Sequence, residues 1–191
     1  YDDHHEKHPD WVIYGSETAS TVRSRGIYHF PYETSLLVYD DLQCSDLGNS
    51  VVNWGASPLN SYAMDTAADY SMGQFVWTGF DYIGEPTPYN TKNSYFGIVD
   101  TAGFEKDSFW FYKSVWDIAY EKPFIHLSPC YWDFNEGQMI DIIAYSNLPV
   151  LKLRYGGKTY DSETLDHKSD GKLCAHFRVP YHKKLPIAVI G

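Results

Sequence analysis

The sequence predicts an α/β unit followed by an all-β module, and three observations carry that fold class. Two short apolar runs, Trp11 to Tyr14 and Gln74 to Tyr82, are closed off by glycine and turn residues, as strands buried on both faces are. Stretches with apolar residues at helical spacing lie between and after those runs. Beyond Lys122-Pro123 the pattern turns to short alternating segments separated by Gly and Pro turns.

Taken in order, the elements are as follows. Tyr1 to Pro9 is polar and ends at proline, and it leads into Trp11-Val12-Ile13-Tyr14, a strand stopped by Gly15. Thr18 to Asn53 mixes apolar patches with turn residues at no sustained period, which predicts a long loop with at most one short helix. Ser57-Pro58 then starts a helix, Ser as N-cap and Pro at the first helical position. Leu59, Tyr62, Ala63, Thr66, Ala67 and Tyr70 continue it at helical spacing, and Gly73 is the predicted stop. Gln74 to Tyr82 is the second strand, with Gly84-Glu85-Pro86-Thr87-Pro88 as its exit loop. A further helix starts at Asp107 or Ser108 and carries Phe109, Tyr112, Val115, Trp116 and Ala119 on one face. Strands are then predicted over Met139 to Tyr145, Val150 to Tyr155 and Cys174 to Val179. The boundary falls near Lys122-Pro123, giving residues 1–122 and 123–191. The chain opens on Tyr rather than Met, and Ile187 to Gly191 reads as a strand without a following turn, so both ends are expected to be cuts in something longer.

Composition narrows the function. With 191 residues, 43% hydrophobic and 17% aromatic, the chain is long and apolar enough to bury a core. Twenty-five acidic against fifteen basic residues give a formal charge of -10, which repels phosphate backbones and anionic membranes, so no nucleic-acid partner is expected. Apolar runs such as Phe75 to Phe80 fall far short of the roughly 20 residues of a membrane helix. The three cysteines, Cys44, Cys130 and Cys174, have neither the number nor the spacing of a disulfide framework or a zinc site.

Chemistry in parallel α/β folds sits where strands end. Glu17 lies two residues past the first apolar run, beside a Gly, and position alone also fits a solvated loop carboxylate or a helix N-cap partner. Trp77 and Asp81 mark the end of the second strand: an indole face stacks on a sugar ring or fills a core equally well. His4, His5 and His8 lack the Cys or carboxylate partners of a zinc set and read as solvated histidines at a helix end. No metal and no cofactor is expected.

A resemblance adds what spacing does not supply. Tyr14-Gly15-Ser16-Glu17-Thr18-Ala19-Ser20 with Ser24-Arg25-Gly26-Ile27-Tyr28, then Gly73 to Tyr89, then Tyr95 to Lys113, closely resemble the C-terminal part of the catalytic barrel in glycoside hydrolase family 2 enzymes of the β-galactosidase type. Pro123 to Trp132, Ile140 to Tyr145 and Val179-Pro180-Tyr181 are similar to the immunoglobulin-like β-domain that follows the barrel in many of these enzymes. The resemblance implies that Trp11 to Ser16 and Phe75 to Tyr82 are strands 7 and 8 of a (β/α)8 TIM barrel. Asp107 to Tyr120 would be its last helix, and residues 123–191 a partial immunoglobulin-like sandwich. It also implies that Glu17 is the nucleophile of a retaining exo-β-glycosidase, that Trp77 floors the subsite for the terminal sugar, and that Asp81 offers a polar contact beside it.

Such an enzyme needs a second carboxyl about 5 to 5.5 Å from the first. In the family it is the Glu of an Asn-Glu pair on the fourth strand, ahead of the nucleophile, and only Tyr1 to Ser16 precede Glu17 here. Asn135-Glu136 reads as a surface turn, and neither Glu85 nor Asp81 matches a family acid/base. Asn90-Thr91-Lys92 is similar to the Asn-x-Lys with which β-glucuronidases of the family grip a uronate, though its position also suits an ordinary surface loop. Two βα units do not close a barrel, so the chain alone is expected to be inactive and to need the remainder of the parent barrel as partner. A β-galactosidase on oligosaccharide substrates is the first expectation, a β-glucuronidase the second, and a non-catalytic sugar-binding or structural β-module the third. A homo-oligomer is left open. Export to the periplasm or cell surface of a Gram-negative bacterium is what such parents suggest.

Overall fold

The computed structural model describes residues 1–34, 36–116, 122–161, 164–167 and 172–191. A short helix, α1 (Asp2–Lys7), precedes strand β1 (Ile13–Ala19). Helix α2 (Pro58–Ala67) then carries the chain across to β2 (Ser71–Trp77), which lies parallel to β1, and α3 (Asp107–Trp116) follows. The six strands β3 (Ile125–Ser128), β4 (Met139–Ser146), β5 (Lys152–Tyr155), β6 (Lys158–Asp161), β7 (Ala175–Pro180) and β8 (Ile187–Ile190) complete the chain. They form two antiparallel sheets, ordered β3-β4-β7 and β6-β5-β8.

Partner strands, rather than polarity, set where β1 and β2 begin and end, and both predicted spans shift accordingly. Strand β1 starts at Ile13, whose N–H donates to Tyr70 O at 3.0 Å, instead of at Trp11. It then runs on through the polar Ser16-Glu17-Thr18 to Ala19, because Gln74, Val76 and Trp77 supply the ladder opposite Gly15, Thr18 and Ala19. The second strand was expected to reach Tyr82 but ends at Trp77. Beyond that point β1 offers no partner, and the backbone laces to another segment: Ile98 N donates to Thr78 O, Val99 N to Gly79 O and Asp81 N to Val99 O, each at 2.9–3.0 Å.

Helix α2 begins as predicted, with the Ser57 hydroxyl accepting from Asn60 N, but it stops at Ala67. Gly73 is therefore not its stop. A turn in which Ser71 N donates to Ala68 O ends the helix earlier, Tyr70 lies beyond it, and Gly73 sits inside β2 at φ +116°. The segment between Ser20 and Asn53 holds no helix among its described residues and is fixed by buried turns and a Thr21–Val51 bridge. Helix α3 starts at Asp107 as expected, while Ala119 and Tyr120 lie outside the described residues.

The alternating segments become strands close to their predicted spans, and their inward residues build one core between the two sheets. Ile140, Ile142 and Ala144 of β4 meet Leu153 and Tyr155 of β5 and Phe177 and Val179 of β7. A second core joins the α/β unit to the sandwich. Phe111, Tyr112 and Val115 of α3 pack on Ile143 and Tyr145, the other face of β4, together with Leu47 and Tyr62. Strand β4 is thus buried on both faces from Ile140 to Ser146. Polar bonds reinforce the joint: Ser128 Oγ donates to Asp107 Oδ2, His126 Nε2 lies 2.9 Å from Asp107 Oδ1, and the His126 ring stacks on Trp110.

Candidate active site

Glu17 is the fifth residue of β1, within the strand instead of two residues beyond it, and its side chain is exposed. Hydrogen bonds from its neighbour Thr18 anchor the segment. Thr18 Oγ1 lies 2.7 Å from Gln74 Oε1 and 3.1 Å from the Phe75 carbonyl, and Ser61 Oγ donates to the same Gln74 oxygen at 2.8 Å. Gln74 thereby ties β1, β2 and α2 together directly under the carboxylate-bearing segment.

Just past Glu17 the backbone turns sharply. Ala19 and Ser20 both adopt left-handed φ, +67° and +58°, which costs a non-glycine residue about 1–2 kcal/mol each. The surroundings hold them there. Both are buried, Ser20 N donates to Thr18 O, and Ala56 N donates to Ala19 O at 2.6 Å. The turn drops the chain into the fully buried segment Thr21-Val22-Arg23.

A cavity of about 820 Å³ opens beside this strand end, lined by Ser16, Glu17, Trp54, Met64 and Tyr70 among others. That volume falls within the range of small-molecule sites. Asp2 is the other carboxylate on its wall, and it accepts the Tyr70 hydroxyl.

Trp77 stands at the end of β2, opposite Ala19 in the ladder, 37% exposed and packed edge-on against Tyr82 at 6.0 Å. The peptide after it, Trp77–Thr78, is cis. Its ring does not line the cavity that holds Glu17. Asp81, expected to offer a free polar contact, is committed elsewhere: its Oδ1 accepts from Lys106 Nζ at 2.7 Å and from Gly97 N at 2.8 Å. Lys106 Nζ also donates to Arg23 O at 2.7 Å. Burial pushes the Asp81 carboxyl up and the Lys106 ammonium down, each toward its neutral form. Nearby Asp46 is fully buried, accepts from Gly26 N at 2.8 Å, and is pushed up to about 8 by that burial, with the Asp107 carboxylate adding to it.

The remaining sequence candidates sit away from this cavity. Glu136 lies on the turn between β3 and β4, where its carboxylate meets His182 Nδ1 at 2.6 Å and accepts from Lys183 N. Glu85 accepts from the Tyr82 hydroxyl on the exit loop. Asn90-Thr91-Lys92 is on the same loop, where Thr91 Oγ1 lies 2.6 Å from Pro88 O and Asn90 and Lys92 are exposed. His5 and His8 are not simply solvated: they stack on Tyr70 and Trp11, each with ring centroids 3.8 Å apart. Among the described residues, no group of three or more His, Cys, Asp or Glu side chains converges as a metal site would require. Nor is any described helix long and apolar enough to cross a membrane.

Sequence reasoning missed Gln74 and Trp54. An indole inside the polar turn Asn53-Trp54-Gly55 was the available signal for the second, since a turn has no core for it to fill.

Comparison with known proteins identifies the relatives. A β-galactosidase of Bacteroides ovatus is 39% identical over 150 residues, which cover 73% of this chain and 17% of that protein. A putative β-glucuronidase of Formosa agariphila is 30% identical over 152 residues, covering 69% of this chain and 14% of that protein. Homologues of this chain are β-galactosidase- and β-glucuronidase-type glycosidases. The chain spans less than a fifth of the length of either of these glycosidases. No protein-family model matches it. Among solved structures, a β-glycosidase from Bacteroides vulgatus superposes with a TM-score of 0.68 at 22% identity, over 99% of this chain and 25% of its own. At that identity the likeness speaks to fold alone.

Proposed function

We propose that this chain is the C-terminal part of the catalytic barrel of a retaining exo-β-glycosidase of glycoside hydrolase family 2, with Glu17 as nucleophile, followed by an immunoglobulin-like β-domain. The parent protein acts on terminal β-galactosides of oligosaccharides. The observation that carries this reading is the position of Glu17, exposed on a parallel strand at the wall of a cavity of small-molecule size, on a segment anchored through Thr18 to Gln74 and by the turn at Ala19-Ser20. The β-galactosidase relative at 39% identity supports the substrate class.

Chemistry follows from the carboxylate. Glu17 attacks the anomeric carbon while the glycosidic C–O bond breaks and a second carboxyl, outside this chain, protonates the departing oxygen. That second group then takes a proton from water, whose oxygen attacks the anomeric carbon and frees Glu17, so configuration is retained.

Two features support the wider architecture. Met72 and Phe75 on the two-stranded sheet are 70% and 67% exposed, and a parallel pair with such faces calls for flanking strands and covering helices, which the rest of a barrel provides. The sheet orders β3-β4-β7 and β6-β5-β8 correspond to A-B-E and C′-C-F of an immunoglobulin-like sandwich. Export to the periplasm or cell surface of a Gram-negative bacterium completes the proposal, and mass spectrometry of the native N-terminus tests it.

A β-glucuronidase is the second reading, favoured by the Formosa agariphila relatives of that name and by Asn90-Thr91-Lys92 on the exit loop of β2. The full-length protein should therefore be assayed on an aryl galactoside and an aryl glucuronide, with and without Glu17→Gln. Loss of turnover by on the order of 10⁴-fold or more is expected. Unchanged hydrolysis by the variant removes Glu17 from the mechanism, and preference for the glucuronide changes the substrate.

A further inference from the structure

The cavity beside Glu17 has an aromatic wall on the loop that precedes α2. Trp54 lines it with its indole 69% exposed, and among the described residues no other ring stacks on it. Its backbone is nevertheless tightly held. Thr21 Oγ1 donates to Ala56 O at 2.9 Å, Ala56 N donates to Ala19 O at 2.6 Å, Gly55 N donates to Val52 O at 3.0 Å, and Val51 bridges Thr21. Gly55 explains how close the fit is. A Cβ there would stand 2.6 Å from the carbonyl oxygens of both Ala19 and Ser20, so only glycine lets this loop lie against the strand end. Trp54 is therefore registered to the same turn that follows Glu17, two residues away.

A large indole on a rigid backbone forfeits the burial that usually stabilises a Trp unless a ligand or another part of the parent protein covers it, and beside Glu17 at the cavity wall the occupant is a ligand. The ligand chemistry that fits is a sugar ring: its C–H face covers the indole while its hydroxyls stay in water. An exo-acting site encloses the terminal sugar and leaves the rest of the substrate open, so a ring on the loop docked beyond the strand end, off the strand that carries Glu17, belongs to the open side. We propose that Trp54 is the stacking platform for the leaving-group sugar, the unit beyond the bond that Glu17 attacks. This rests on Glu17 being the nucleophile.

The experiment uses the full-length protein and its Trp54→Ala and Trp54→Phe variants. Each is assayed on a methyl β-glycoside, whose leaving group has no ring, and on a β-linked disaccharide of the same terminal sugar. Trp54→Ala should lower kcat/KM on the disaccharide roughly tenfold, the equivalent of about 1.4 kcal/mol. The methyl glycoside should change by less than about twofold. Trp54→Phe should restore most of the loss, since it keeps an aromatic face. Equal losses on both substrates would put Trp54 on the terminal-sugar side, and no loss on the disaccharide would remove it from the site; either overturns the proposal. A 2-deoxy-2-fluoroglycosyl fluoride separates this from the premise, because it labels the nucleophile through the terminal sugar alone. An adduct mapped to Glu17 in the wild type upholds the nucleophile, and one mapped elsewhere overturns that reading whatever Trp54 does. Trp54→Ala should label at the wild-type rate.

Discussion

Lys106→Met removes one partner of a buried ion pair and so isolates what the pair does. The Lys106 ammonium has 0% of its side chain exposed and the Asp81 side chain 6%, with 2.7 Å between Nζ and Oδ1. Without the lysine, the Asp81 carboxylate keeps only the Gly97 N–H, and the Arg23 carbonyl loses its 2.7 Å donor. Stranding one member of a buried pair costs about 3–5 kcal/mol, and that term outweighs the lost carbonyl bond, worth about 1–3 kcal/mol. The double variant Lys106→Met/Asp81→Asn leaves no charge behind, and the asparagine oxygen still accepts from Gly97, so it should recover to within about 2 kcal/mol of wild type. The assay is the temperature of half-inactivation of the full-length protein, with soluble yield alongside. Single variant well below wild type, double variant between them, is the expected order. A double variant no more stable than the single one would refute the claim that the lysine serves the Asp81 charge.

Three further outcomes are expected. Gly97→Ala should destabilise by about 3 kcal/mol, because its Cβ would meet Asp81 N at 2.1 Å and Val99 O at 2.4 Å, backbone atoms that no rotamer moves away; heat inactivation within about 0.5 kcal/mol of wild type counts against this. Asp46 is raised to about 8 when folded, against about 3.9 unfolded, so its contribution to stability is complete below about pH 4 and is lost as pH rises through 8. Asp46→Asn should therefore gain on wild type steadily as pH rises from about 5 to 8, by more than about 1 kcal/mol in all, and parallel pH profiles of inactivation would contradict that. The 191 residues purified alone should associate through the exposed faces of β1 and β2 in light scattering; a monodisperse monomer that melts sharply and hydrolyses a galactoside would overturn the reading of an incomplete barrel.

Local signals were legible where one stretch of chain decides the outcome. Ser57-Pro58 starts α2, Asp107 starts α3, and the alternation after Lys122 yields strands within a few residues of their predicted spans. The misses share a cause, which is a partner distant in sequence. Strand β1 extends through polar Glu17 because Gln74 and Val76 supply its ladder, and β2 stops at Trp77 because the backbone finds residues 96–99. Asp81 resembled a free strand-end carboxylate because nothing in its neighbourhood points to a lysine 25 positions later. Glu17 was picked out by its motif, and its strand and glycine context alone left it ambiguous. Trp54 lies between the long irregular segment and the start of α2, in a turn whose order comes from contacts of Ala56 with Ala19 and Thr21.

Strand β4 belongs to two interiors at once, one face in the sandwich core and the other against α3. A cut at the Lys122-Pro123 boundary would therefore divide the sequence without dividing the fold. Freed from its neighbour, the sandwich would show Ile143 and Tyr145 to water, and α3 would lose its bed along Phe111 and Val115. The sandwich works as a splint, setting the last described helix of the α/β unit through Asp107, Ser128 and His126, so that rigidity passes to α2, which α3 packs against. Transplanting either half into another scaffold would have to bring the shared strand along.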